Sequence, residues 1–182
     1  LSVAILLMGN GLQGTLLPVR AGMESFGSFD IGILGSAYFC GFLAGCVYGP
    51  RVIRVAGHIR TFAGMVAVAS SVVLIHVLIV EPVVWWLLRA TTGFCFAVLY
   101  RGMGGWLNEK WTNETRGLVF SVYTIINLTV ITAGQMRLMT ADPASFPLFA
   151  FASILVSIAA VPIALTRIEQ PAPLDIVQLR LK

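Results

Sequence analysis

The chain has 182 residues, of which 58% are hydrophobic and 11% charged, whereas about a quarter of the residues of a soluble domain are charged. That balance excludes an ordinary soluble fold and puts the chain in a lipid bilayer. Its net charge of +4 does not point to nucleic acid, because the basic residues are dispersed among short connections between apolar stretches.

A helix of about 20 apolar residues crosses the roughly 30 Å hydrocarbon layer. Six such spans are expected, near residues 1–19, 29–50, 58–80, 82–106, 115–139 and 145–166. The runs are long and continuous rather than alternating, so an all-α membrane bundle is expected and a β-barrel is not. Residues 1–166 then form one six-helix domain and 167–182 a cytoplasmic linker, stiffened by Pro171-Ala172-Pro173.

The first span lacks the basic leader of a signal peptide and runs into further spans. It begins at Leu1 rather than Met, from which a trimmed start is expected. Gly9-Asn10-Gly11, Gln13 and Gly14 interrupt its apolar character. Asn10 and Gln13 either hydrogen-bond a solute or bond across helices. The second span carries Ala37, Gly41, Gly45 and Gly49 at intervals of four, which stacks small residues on one face. Such a stripe serves close static packing, with a sliding surface as the alternative. Cys40, Cys46 and Cys95 lie inside spans without disulfide or metal-ligand spacing, and packing is their expected role.

A basic loop, Gly49 to Arg60, joins the second and third spans. His58 falls in it, whereas His76 is expected as an interior hydrogen-bonding residue or proton relay. The two are about 27 Å apart along one helix, too far to share a metal or haem.

The fourth span opens with Trp85 and Trp86, which suit an outer interfacial belt. Arg89 follows, about 9 Å deep, where a lone guanidinium costs on the order of 3 kcal/mol or more. It faces a cavity or polar partner, or else snorkels outward, while Arg101 snorkels to the cytoplasmic side or contacts substrate. In the fifth span Asn127 and Gln135 add neutral polarity beside Thr124 and Thr132. A cavity lined by these amides, hydroxyls and arginines suits a polar or anionic solute. No catalytic triad, paired acids or metal-spaced cluster appears in the sequence, so an enzyme is not expected, and neither is a cofactor.

Lys and Arg fix the threading. Arg51, Arg54, Arg60, Lys110, Arg116, Arg167, Arg180 and Lys182 fall on one side, against Arg20 and Arg137 on the other. Both termini are therefore expected in the cytoplasm. The interrupted first and fourth spans suggest an inverted repeat of three helices, as found in transporters.

Gly49, Arg54, Gly57 and Arg60 resemble the cytoplasmic signature of the major facilitator superfamily, with Ile53 at its acidic position. Arg89-x-x-x-Gly93 is similar to its fourth-helix motif, and Glu114-Thr115-Arg116-Gly117 to its entry to the fifth helix. The segments Gly9-Asn10-Gly11-Leu12, Pro50-Arg51-Val52-Ile53-Arg54, Gly57-His58-Ile59-Arg60 and Trp106-Leu107-Asn108-Glu109 together resemble the bacterial YcaD-like branch, and the resemblance covers nearly the whole chain but only as the first of two six-helix halves. The resemblance implies gradient-coupled transport of a small solute by alternating access in a bacterial inner membrane, partnered by a carboxy-terminal half. It also implies a gating loop in which Glu109 or Glu114 replaces the missing acid and pairs with Arg54 or Arg60. The rival expectation is a half-size membrane protein that acts as a dimer or as a non-transporting scaffold.

Overall fold

The computed structural model describes residues 2–108 and 116–165. All the regular structure among them is helical: α1 (Ser2–Met23), α2 (Ser28–Ala56), α3 (His58–Leu78), α4 (Pro82–Asn108), α5 (Arg116–Met136), a 3-10 turn (Arg137–Thr140), α6 (Phe146–Ile158) and α7 (Ala160–Leu165). Helices α1, α2 and α3 and the Pro82–Gly102 portion of α4 are each long and apolar enough to cross a membrane. The first four expected spans recur as helices of spanning length, and the described residues form an all-helical bundle compatible with multi-pass insertion.

Two boundaries differ from expectation. The basic loop is not a loop, since α2 continues through Pro50, Arg51 and Arg54 to Ala56 and α3 begins at His58. Gly57 alone interrupts the helices, at φ 82° and ψ 159°, in a region essentially open only to glycine. The last span is divided at Ala159. Pro162, which has no N–H to bond the carbonyl four residues back at Ile158, lies in α7 just past this break.

The main packing partners are α1 with α5 and α6, α2 with α4, and α3 with α4 and α6. One apolar core joins Leu6, Phe62, Phe96 and Val156 from α1, α3, α4 and α6. A second, nearer the Trp85 end, joins Leu12, Leu16, Leu34, Val73, Trp85 and Phe149. Ser153 Oγ of α6 donates to the Ser70 carbonyl of α3 at 3.0 Å, tying those helices directly.

Glycine decides the two closest approaches. On α2, Gly41, Gly45 and Gly49 meet Ala90, Phe94 and Val98 of α4. The three contacts climb both helices together, so α2 and α4 run parallel. A Cβ at Gly41 would overlap the Ala90 carbonyl, and one at Gly93 would overlap the Tyr38 carbonyl. The stripe read from the sequence is thus a tight packing seam. The α1–α5 crossing has the same form: Gly11 sits on the Ile131 carbonyl and Gly134 on the Met8 carbonyl.

The outward faces are apolar. Phe39, Leu43 and Val47 of α2 and Phe120, Ile125 and Leu128 of α5 are each more than 60% exposed. In water such a surface would be an aggregation liability; against lipid tails it costs nothing. Cys40 and Cys46 lie on this exposed surface, contrary to the packing role expected of them, while Cys95 is buried. They point away from helix α4, the main packing partner of α2 among the described residues.

Candidate functional site

The polar centre of the bundle is built around Arg89. The residue is only 7% exposed, and its guanidinium carbon stands 4.7 Å from the centroid of the Tyr38 ring. The glycine seam causes this contact. Arg89 lies one turn before Gly93 on α4 and Tyr38 one turn before Gly41 on α2, so the backbone approach at the glycines brings the two side chains together.

Asn10 of α1 extends the cluster, its Nδ2 donating to the Tyr38 hydroxyl at 3.5 Å. Tyr100, one helical stretch further along α4, lies within interaction range of both Asn10 and Tyr38. Its ring centroid is 6.1 Å from that of Phe42 and 5.9 Å from that of Phe96. Three helices thus contribute one cation, one amide and two phenols.

Helix α3 closes the other side. His76 is fully buried, with Nδ1 2.7 Å from the Val72 carbonyl. A carbonyl only accepts, so Nδ1 donates. The ring centroid lies 5.4 Å from that of Trp85 in an edge contact, and Arg89 is close enough to act on His76 electrostatically. Trp85 itself is buried and donates through Nε1 to the Ile79 carbonyl at 2.8 Å. The expectation of an interfacial belt therefore fails for Trp85, because the turn before α4 folds over it. Trp86 is half-buried and ties α4 to α2 through a 3.1 Å bond to the Asp30 carbonyl.

Several buried polar atoms have no partner among the described residues. Arg89 Nε and Nη1, both amide atoms of Gln13, His76 Nε2 and Asn127 Oδ1 are buried without a hydrogen-bond partner. Buried polar groups are nearly always paired. Carboxylates do not fill the gap: Glu24, Asp30, Glu81 and Asp142, the four acids among the described residues, sit at helix ends or in turns. One of them, Glu24, pairs with Arg20 at 2.5 Å.

Of the residues singled out from the sequence, Arg89 and Asn10 meet through Tyr38, and Gln13 lies one turn beyond Asn10 on α1 and is buried. Asn127 is half-buried on α5. Arg101 and Gln135 are exposed and stand outside the cluster. Arg101 has left the tightly packed part of α4, and Gln135 falls on the face of α5 that α1 does not cover. The hydroxyls of Thr124 and Thr132 are likewise exposed and bond the carbonyls four residues back, at 2.8 and 2.9 Å. Thr91 and Thr92 are satisfied the same way, each at 2.9 Å.

At the far end of α2, Gly49 packs against Val98, Arg54 and Arg60 are exposed, and Gly57 forms the break. His58 is the first residue of α3 rather than part of a loop. Arg116 opens α5, while Glu109, Glu114 and the linker 167–182 lie outside the described residues. Among the described residues no group of three or more His, Cys, Asp or Glu side chains could hold a metal ion.

Sequence reasoning missed Tyr38. An aromatic residue in an apolar span reads as lipid-facing, and its one signal was the spacing from Gly41, which placed it on the small-residue face. Compared with known proteins, the chain matches no family model, no curated protein and no solved structure.

Proposed function

We propose that this chain is the amino-terminal six-helix half of a secondary active transporter of the major facilitator type, moving a small solute by alternating access. The observation that carries the reading is the pair of matched glycine crossings. Exchanging α1 with α4, α2 with α5 and α3 with α6 turns the Gly11–Ile131 and Gly134–Met8 contacts into Gly93–Tyr38 and Gly41–Ala90. The same exchange carries the α1–α6 packing onto α3–α4 and leaves α3–α6 in place. Consecutive spans alternate in direction, so α1 and α4 run oppositely and the exchange is an inversion, the architecture of many transporters.

A cluster of unsatisfied polar atoms within such a repeat is where a solute is held. Arg89, Asn10 and Tyr38 are its contact residues in this proposal, with Gln13 and Asn127 nearby. The basic ends of α2 and α3 are assigned to the cytoplasm by the positive-inside rule, in a bacterial inner membrane with both termini inside. There Arg54 or Arg60 pairs with Glu109 or Glu114 to hold one of the two states.

Two experiments test this. Full-length protein in proteoliposomes should accumulate at least one member of a panel of labelled small solutes when a proton or solute gradient is imposed. Absence of gradient-driven uptake across the panel refutes transport. For the gate, Arg60→Glu and Glu114→Arg should each slow uptake and the double exchange should restore it; no rescue in any pairing removes the gating contact.

A further inference from the structure

Resting on the transport reading of the Arg89 centre, we infer that this site takes a small monovalent anion. The argument begins with charge. Arg89 is 7% exposed and remains protonated in proteins, so it places a full positive charge inside the bundle. A buried charge is tolerated when it is paired and hydrogen-bonded. Here Nε and Nη1 have no hydrogen-bond partner, and the acids among the described residues stand at helix ends or in turns. The Tyr38 ring, 4.7 Å away, attracts the cation through its quadrupole but carries no net charge.

The remaining neighbours are neutral and donor-rich. Asn10 donates to the hydroxyl of Tyr38, so an amide from α1 and a phenol from α2 adjoin the ring over which Arg89 stands. His76 donates its Nδ1–H to the Val72 carbonyl, so that N–H is not offered to the anion. An incoming anion would meet one formal positive charge and several N–H and O–H groups. One charge matches a monoanion. A dianion would leave a buried negative charge uncompensated, and a cation would meet repulsion from Arg89. A neutral solute would leave the guanidinium as it stands.

The test is equilibrium binding by the full-length chain in detergent or nanodiscs, in a bulky-anion buffer at constant ionic strength. Acetate and nitrate serve as planar probes, chloride as a spherical one, sulfate as a dianion and glycerol as a neutral control. At least one monoanion should raise Tm saturably and change the tryptophan fluorescence, since Trp85 lies one turn from Arg89. Sulfate and glycerol should not. Arg89→Gln should weaken the response at least tenfold, and Arg89→Lys should keep part of it. The proposal is overturned if Tm follows ionic strength regardless of anion, if sulfate or glycerol matches the monoanions, or if Arg89→Gln responds as the parent does. Should Arg89→Gln not fold, the anion series on the parent and on Arg89→Lys still decides. Binding without uptake would refute the transporter and leave the anion site standing, whereas uptake of a neutral solute with no anion effect would do the reverse.

Discussion

Gly41 and Gly93 each rest on the backbone of the other's helix, Gly41 on the Ala90 carbonyl and Gly93 on the Tyr38 carbonyl. The residues they touch lie three positions before the opposite glycine, so the two contacts form a reciprocal lock. A new Cβ at either position meets a carbonyl that cannot rotate aside. Gly41→Ala and Gly93→Ala should therefore each cost about 1–3 kcal/mol, the usual range for overpacking. Gly64→Ala in α3, where a Cβ would enter open space, should be neutral or slightly stabilising by helix propensity. Thermal unfolding in detergent of the three variants would check the contrast; equal Tm values would refute the lock.

Gly57 fails by a different route. Nothing lies within 4 Å of a Cβ built there, yet its φ is 82°. Gly57→Ala should cost about 1–3 kcal/mol from backbone strain alone. Trypsin cleavage after Arg54 or Arg60 should accelerate at the same time, because the ends of α2 and α3 would fray. Unchanged stability and cleavage would contradict the strained geometry.

Tyr38 separates two interactions. Tyr38→Phe keeps the ring under Arg89 and loses the hydroxyl that accepts from Asn10. Tyr38→Leu loses both. The expected order of Tm is parent, Phe, then Leu, with the last step worth about 0.5–2 kcal/mol for a desolvated cation–π contact. Uptake should fall in the same order, and a Leu variant as stable as Phe would show that the ring contributes nothing.

Gln13 should trade stability against activity. Both its amide atoms are buried without partners, a state that costs about 1–3 kcal/mol. Gln13→Leu keeps similar bulk and removes the unsatisfied atoms, so Tm should rise while solute uptake falls. A drop in Tm would mean that the amide is satisfied in the protein after all.

The apolar windows located the helices because a bilayer requires long uninterrupted runs, and this part of the fold could be read directly from residues such as those of α3 and α4. The end of α2 could not. Hydropathy marks where lipid ends rather than where a helix ends, and Arg51 and Arg54 are compatible with helix once outside the hydrocarbon layer. Arg89 stood out from the sequence because a charge in an apolar span has few innocent explanations. Tyr38, Trp85 and the exposed orientation of Gln135 were hidden, since apolar spans have no strong polar face and each side's neighbour is fixed only by packing. The correspondence between Gly11 and Gly93 was hidden too, because it lies in what each glycine touches and not in the surrounding letters.

The single-residue link at Gly57 restricts how α2 and α3 can move. One residue of chain spans at most about 3.6 Å, while α2, at 29 residues, is a rod of about 44 Å. Such a short tether leaves little slack for α2 to slide along its axis without pulling the start of α3, although it leaves the two free to pivot about the glycine. Any rearrangement of the seam between α2 and α4 would then reach α3 mechanically as a tilt, delivered at His58 and transmitted up the helix that carries His76.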